Sequence, residues 1–345
     1  MIQTVAGPLP ADRLGRTLTH EHLFNDVRAA VVPGARPGTE DLLDTPIARV
    51  DRTRLITEPY SSRDNCTLDD PADALAELAA FRAAGGSSVI DLTPPALGRN
   101  PAGLHRASVD SGINVIMGSG WYLENFETAA GTAEYGRVDR LAAALSAEFR
   151  DGVDGIRPGV IGEIGISPAF TPGEAAALRA ACLVQLDHGV PLFIHLPGWQ
   201  RRGPEVLGIV LDEMGVDPGA VVLCHMDPSG SDGGYQRALA DAGVWLEFDM
   251  IGMPFSYPGE GVSPGVTETA DALAALVSAG HSDRLLLSHD LFLKAMLGRY
   301  DGRGLGFVPG EFRDLLLHRG INADRLLDHN PASLFIHAHK GITSS

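Results

Sequence analysis

The feature that most constrains this chain is the spacing of its short apolar runs. Eight runs rich in Val, Ile and Leu, at 17–22, 87–93, 114–120, 159–165, 191–196, 221–226, 244–249 and 285–290, are bounded by Gly, Pro or polar residues. Runs of that length and composition suit strands buried on both faces of a parallel sheet. Between them lie Ala-, Leu-, Glu- and Arg-rich stretches of helical periodicity, among them 71–84, 138–149, 171–188 and 271–279. Eight strands alternating with helices predict an α/β chain folded as a (β/α)8 TIM barrel. A doubly wound sheet would carry a glycine-rich phosphate turn after an early strand. Neither G-x-G-x-x-G nor G-x-x-x-x-G-K-[ST] stands in such a place. We expect one domain over residues 1–345, with the Pro-, Gly- and Asp-rich stretch 30–70 inserted as a loop after the first strand.

Charge and cysteine usage narrow the function classes. The chain has 27 Lys+Arg against 44 Asp+Glu, a formal charge of −17. No basic stripe interrupts this balance, which argues against a nucleic-acid partner. No run of about 18 apolar residues offers a transmembrane helix, so no membrane partner is expected. The first ten residues lack the basic stretch and apolar core of a secretory signal. Cys66, Cys182 and Cys224 are too few and too scattered for a disulfide framework. These features point to a soluble protein of the reducing cytoplasm.

The ends of the predicted strands collect the chemistry. His20 and His22 end the first strand and, two residues apart, share a side. Glu163 lies near the end of the fourth strand, His195 of the fifth and His225 of the sixth, while Asp249 and Asp290 end the seventh and eighth. Barrel active sites form at the C-terminal ends of the strands, so these residues should converge on one mouth. Four imidazoles with Glu163 and Asp290 make a nitrogen/oxygen site suited to divalent transition metals. An interior carboxylate demands a cation, and no Lys or Arg lies within strands one, two, four, five, six or eight. His105, His188, His281 and His318 fall in helices or in loops before strands, away from the mouth. His329, His337 and His339 read as surface or capping residues of the C-terminal segment. Cys224 precedes a ligand on a strand and should point into the helical layer. Asp227 fits either a partner of the site or a cap of the next helix.

These residues resemble the phosphotriesterase family of the amidohydrolase superfamily. The resemblance is carried by T-V-x-G-P-L and L-G-x-T-L-x-H-E-H-L within 4–23, I-G-E-I-G at 161–165, P-L-F-I-H at 191–195 and H-M-D at 225–227. It continues through S-H-D at 288–290 and D-H-N-P-A at 328–332. It implies two divalent ions bridged by a carboxylate and a hydroxide, with His20, His22 and Asp290 on the more buried ion. His195 and His225 would then hold the more exposed ion, with Glu163 bridging. Many members bridge with a carboxylated lysine, so Glu163 is similar to the phosphotriesterase-homology branch. Met250 stands where phosphotriesterases proper resemble L-D-H and the lactonase branch F-D-R. Family resemblance also implies a homodimer.

The expected activity is a binuclear metal-dependent hydrolase whose bridging hydroxide attacks a lactone, carboxylic ester or phosphotriester. Asp290 would be the catalytic proton carrier and zinc the expected metal, with manganese, cobalt or iron as alternatives. A second reading keeps the metals but cleaves an N-acyl amide; a third is a metal-stabilised barrel without catalysis. Trp121, Tyr122 and Met250 are the expected substrate contacts. Trp199, Met253, Phe255, Tyr257, Phe292 and Phe307 are further wall residues. Arg201 and Lys294 are read either as contacts to an anionic substrate or as surface charges.

Overall fold

The computed structural model describes residues 1–340 except 32 and 34–36, with the Lys340 side chain also left aside. Its central sheet holds eight parallel strands: β1 (Thr17–Glu21), β2 (Ser88–Asp91), β3 (Asn114–Ser119), β4 (Val160–Gly165), β5 (Leu192–His195), β6 (Val221–Leu223), β7 (Trp245–Phe248) and β8 (Leu285–Leu287). Neighbours in sequence are neighbours in space from β1 to β8, as right-handed β–α–β crossovers require. Helices cover the outside, including α1 (Pro71–Ala83), α2 (Pro101–Ser111), α3 (Val138–Asp151), α4 (Pro172–His188), α5 (Gly233–Asp241) and α6 (Val266–Ser278). Each of the eight predicted strands is present. All but β4 end one to three residues earlier than predicted, and on β6, β7 and β8 the residues beyond the ladder include His225, Asp249 and Asp290.

Alternation along the strands divides the core into two compartments. Ile90, Leu92, Ile116, Val160, Phe193, Val222, Trp245 and Leu286 fill the barrel interior. Ile2 and Leu14 from the N-terminal segment, with Leu334 and Phe335 from the C-terminal helix Asn330–Lys340, pack against this layer. The intervening residues, such as Val89, Val115, Ile161, Ile194 and Leu246, face the helices. The N-termini of the helices carry ordinary stop-start chemistry: Asp70 caps α1, and Thr171 with Glu174 forms a capping box on α4.

The seam between β1 and β8 closes through side chains as well as backbone. The Asp290 N–H donates to the His20 carbonyl at 3.1 Å, and the His20 N–H donates to Ser288 Oγ at 2.9 Å. Glu21, fully buried between the two histidines, then accepts from Ser288 Oγ, His289 N, His289 Nδ1 and Leu291 N at 2.8, 3.0, 2.7 and 3.0 Å. The residues that flank the site are thus tied across the seam by one carboxylate. Within stretch 30–70, the described part carries the short helix Arg52–Thr57 and ends in a strand, Thr67–Leu68, paired with Asn25–Asp26. It brings Tyr60 to the barrel mouth.

Candidate metal centre

Local departures from regular strand geometry aim the donor groups. On β5 alternation alone suffices, since Phe193 and His195 share the inward side. On β1 a register shift between Leu18 and Glu21 leaves His20 and His22 inward and Glu21 outward. On β4 a second shift, between Ile161 and Ile164, presents Glu163. His225 and Asp290 follow β6 and β8 with φ of 59° and 50°, a left-handed backbone that histidine and aspartate tolerate better than most residues. Regular alternation would turn His225 outward after an inward Cys224. The left-handed step brings both inside, which corrects the expectation for Cys224. Its thiol faces the barrel interior beside His20, Glu247 and Asp249, not the helical layer.

The six predicted donors converge. Glu163 Oε1 lies 3.6 Å from His22 Nε2, while its Oε2 lies 3.6, 3.1 and 3.7 Å from His20 Nε2, His195 Nδ1 and His225 Nε2. Asp290 Oδ1 is 3.1 Å from His22 Nε2 and 3.7 Å from His20 Nε2. Glu163 thus stands at the centre of the four imidazoles, with Oε1 toward His22 and Oε2 toward His20, His195 and His225. His20 Nε2 is buried without a hydrogen-bond partner, although it points at the carboxylates. No Lys or Arg among the described residues forms an ion pair with Glu163 or Asp290. A nitrogen/oxygen donor set with an orphaned imidazole nitrogen and buried carboxylates fits divalent cations.

Charge around the donors is set by burial and by mutual attraction. Burial pushes the Glu163 carboxyl up, but His195, His225 and His20 outweigh it and hold Glu163 well below the carboxylate range. Burial would depress His20; Cys224, Asp249 and Glu247 more than offset this and raise it well above an ordinary imidazole. His225 is raised in the same way against burial by Asp249, Glu163 and Asp290. Imidazoles and carboxylates at the site thus hold one another in their charged forms.

Supporting groups hold the far sides of the rings. Asp249 accepts from the His225 N–H at 3.0 Å and lies 2.9 Å from His225 Nδ1 and 3.2 Å from His20 Nδ1. Glu247 Oε2 lies 3.2 Å from the same His20 nitrogen. Such partners fix ring orientation and leave the other nitrogen for a metal. Asp249 was visible in sequence as a strand-end carboxylate, whereas the role of Glu247 was missed. The alternation W-x-E-x-D along 245–249 was the signal that could have found it. Asp227 accepts from Met250 N and Thr269 Oγ1, and α5 is capped by Asp232 instead.

Above the donors opens a cavity of about 380 Å³ lined by His22, Glu163, His195, His225 and Asp290 at its floor. Tyr122 and Met250 line it, as do Trp199, Tyr257 and Phe292. Trp121 does not; it packs into the hydrophobic core against the helical layer, as do Met253, Phe255 and Phe307. Tyr60, Asn25, Asn125, Phe126 and Glu260 also line the cavity and were missed, because they lie on short elements and turns between the barrel strands and helices, too short to carry a periodic signal. Neither cation near the mouth lines the cavity. Lys294 Nζ donates to Asp64 at 2.6 Å, and Arg201 pairs with Asp232 at 3.4 Å while lying over the Tyr235 ring.

Comparison with known proteins places this geometry. A family model described as the phosphotriesterase family matches residues 1–335. N-acetyltaurine hydrolase of Salmo salar is 34% identical over 96% of each chain. A resiniferatoxin-binding protein from Rhodobacter sphaeroides has a structure with a TM-score of 0.92 at 43% identity, covering 97% of this chain and 94% of its own. A mutant of a phosphotriesterase-like lactonase from Deinococcus radiodurans reaches a TM-score of 0.74 at 29% identity, over 97% of this chain and all of its own.

Proposed function

Because the chain belongs to the phosphotriesterase family of metal-dependent hydrolases, we propose that it hydrolyses a lactone, carboxylic ester or phosphotriester that carries no anionic group, with an N-acyl amide as the second reading. The observation that carries this reading is the cavity itself: a donor cluster at the floor beneath an aromatic wall with no Lys or Arg among the described lining residues. N-acetyltaurine, whose name the salmon relative bears, is a sulfonate anion. Its hydrolysis supports amide cleavage as the second reading for this chain, but the cation-free wall disfavours that particular substrate.

His20, His22 and Asp290 would hold one ion and His195 and His225 the other, with Glu163 between them. Bound divalent ions would supply ionised water at neutral pH and polarise the scissile carbonyl or phosphoryl oxygen. Zinc suits the imidazole-rich set by intrinsic affinity. The chain's own groups do the rest. Asp290 is the more exposed carboxylate, with 12% side-chain exposure against 3% for Glu163, so it faces the cavity and takes a proton there for delivery to the leaving group. Burial raises the Tyr122 hydroxyl well above its ordinary value and keeps it protonated. Its oxygen lies 3.5 Å from His195 Nδ1, where it can donate to the substrate oxygen. The aromatic wall excludes water from the reacting centre.

Homodimerisation, inferred from family resemblance, is read by solution mass. A cytoplasmic location is supported by three free, buried cysteines and read by fractionation. No helix among the described residues is long and apolar enough to cross a membrane. The deciding experiment combines metal content with a panel of lactones, aryl esters, uncharged N-acyl amides, N-acetyltaurine and paraoxon. Two metals per chain with chelator-sensitive turnover of an uncharged substrate are expected. Metal-loaded protein that turns over none of these, or that prefers N-acetyltaurine, overturns the proposal.

A further inference from the structure

One wall of the cavity carries charge that the hydrolytic chemistry does not use. Phe292, Tyr60, Tyr257 and Trp199 form a continuous row of rings, with successive centroids 6.4, 5.8 and 5.6 Å apart. All four line the cavity. Tyr257 belongs to a small hairpin in which Ser256–Tyr257 pairs with Gly261–Val262. Glu260 sits in its turn, where the Glu260 N–H donates to the Tyr257 carbonyl at 3.1 Å. A Cβ at Gly261 would collide with the Trp199 indole, so glycine lets the hairpin backbone lie directly on that ring. The turn and the aromatic row are therefore one packed unit.

Glu260 lines the same cavity, yet its carboxylate makes no ion pair or hydrogen bond with any described residue. Partial burial raises its carboxyl above the ordinary range, while His195 and His225 draw it back. Glu260 stands exposed at the rim of the cavity, so water solvates its charge, and it adds a modest, screened attraction for a cation lying on the neighbouring rings. Aromatic faces present negative charge and attract ammonium groups within about 6 Å of the ring centroid. The other nearby cations, Lys294 and Arg201, are already paired with Asp64 and Asp232. A positive group brought by the ligand would lie on these rings and within the field of Glu260.

We infer that the Phe292–Tyr60–Tyr257–Trp199 row and Glu260 form a subsite for a cationic, ammonium-bearing arm of the substrate. The inference deepens the hydrolase reading and rests on it. The acyl bond lies over the metal centre, and the ammonium lies against the rings with Glu260 as its counter-charge. Uncharged substrates of the same shape enter without that attraction, and anionic arms are repelled.

The test uses a pair of esters of nearly equal shape, acetylcholine and 3,3-dimethylbutyl acetate, in which a quaternary nitrogen replaces a quaternary carbon. The metal-loaded enzyme should favour the cationic ester in kcat/KM by roughly tenfold, chiefly through the rings, and Glu260→Gln should lower that ratio by about two- to fivefold. Tyr257→Leu should lower it as well. Tetramethylammonium binding, followed by tryptophan fluorescence and calorimetry, gives a readout that needs no turnover. It should be weakened in E260Q. If neither ester is hydrolysed but tetramethylammonium binds and E260Q weakens it, the subsite stands and the hydrolase reading is at fault. Equal use of both esters, a ratio unchanged in E260Q, or no ammonium binding overturns the subsite. Loss of metal from E260Q overturns it too, since Glu260 would then serve the metal centre.

Discussion

Glu21 gives the sharpest test of how the barrel holds its metal ligands. It touches no substrate: its side chain faces away from the cavity, between β1 and the segment after β8. Burial pushes its carboxyl up, but His289 and the surrounding donors outweigh this and hold it below the usual range, so it is ionised. Glu21→Ala removes the acceptor for four donors, from Ser288, His289 (two) and Leu291. At a net 1–1.5 kcal/mol for each hydrogen bond, the loss is roughly 4–6 kcal/mol. Glu21→Gln keeps the shape and the oxygen shared by three donors, but sets an amide N–H₂ against the Leu291 N–H. That variant should lose about 2 kcal/mol. His20, His22 and Asp290 are anchored on either side of the same seam, so metal affinity should fall about 10–100-fold in either variant. Denaturant unfolding of the metal-free protein reads the first effect, and competition with a chromophoric chelator reads the second. If Glu21→Gln unfolds at the wild-type midpoint and holds metal equally well, the seam is not kept by this carboxylate. A fall in activity alone, with stability and metal affinity intact, would refute the reasoning equally, because it would place Glu21 in the chemistry.

Asp290→Asn should lower kcat by about 10²–10⁴-fold as a lost proton carrier, with metal content per chain measured alongside; a near-wild-type kcat in the loaded variant removes that role. Gly261→Ala should push the Trp199 indole from its seat, changing tryptophan emission and raising KM more than it lowers kcat. The Asp64–Lys294 pair predicts a pH signature. Burial pushes Asp64 up, yet Lys294 and the Ile47 N–H hold it below its ordinary 3.8. Its contribution is therefore present above pH 3.8 and lost as pH falls through the lowered value. Asp64→Asn should be less stable than wild type at pH 6, and the gap in unfolding midpoint should close in strong acid. Cys66, Cys182 and Cys224 are fully buried, and burial pushes the first two thiols up to about 12. A thiol reagent should find none of them in the native protein and all three after denaturation.

The barrel was legible because it is written in periodicity. Phe193 with His195, and Trp245 with Glu247 and Asp249, obey strict alternation, so their inward direction follows from sequence alone. The six donors were legible for a different reason: they stand together at the ends of five of the eight apolar runs, and that joint pattern points to one site although a single buried residue there, such as Glu21 or His289, can serve structure alone. What alternation could not show is the geometry that aims them. His225 and Asp290 take a left-handed backbone, and β1 and β4 each shift register beside a ligand. These are breaks in the period, and they fall where function requires a side chain to leave the direction that the strand would give it. Cys224 was misplaced for that reason, since its outward direction was deduced from His225 by a rule that His225 itself breaks.

The mouth was less legible because its character depends on which charges cancel. Lys294 and Arg201 stand close in sequence to the site and would suit an anion, yet each is taken by an acidic residue far along the chain, Asp64 and Asp232. Pairing of that kind is long-range and leaves no local pattern. Once the pairs are removed, the charge left above the metal donors among the described lining residues is that of Glu260, carried on a hairpin that sequence shows only as a Pro-Gly turn. The field that an entering substrate meets is thus the residue of a cancellation. It follows that neutralising Asp64 or Asp232 should free a cation near the mouth and improve KM for anionic acyl substrates, whereas neutralising Glu260 should do so without freeing any cation. If Asp232→Asn leaves the preference among charged substrates unchanged while Glu260→Gln shifts it, selection is set at the wall; the reverse result would move it to the surface pairs.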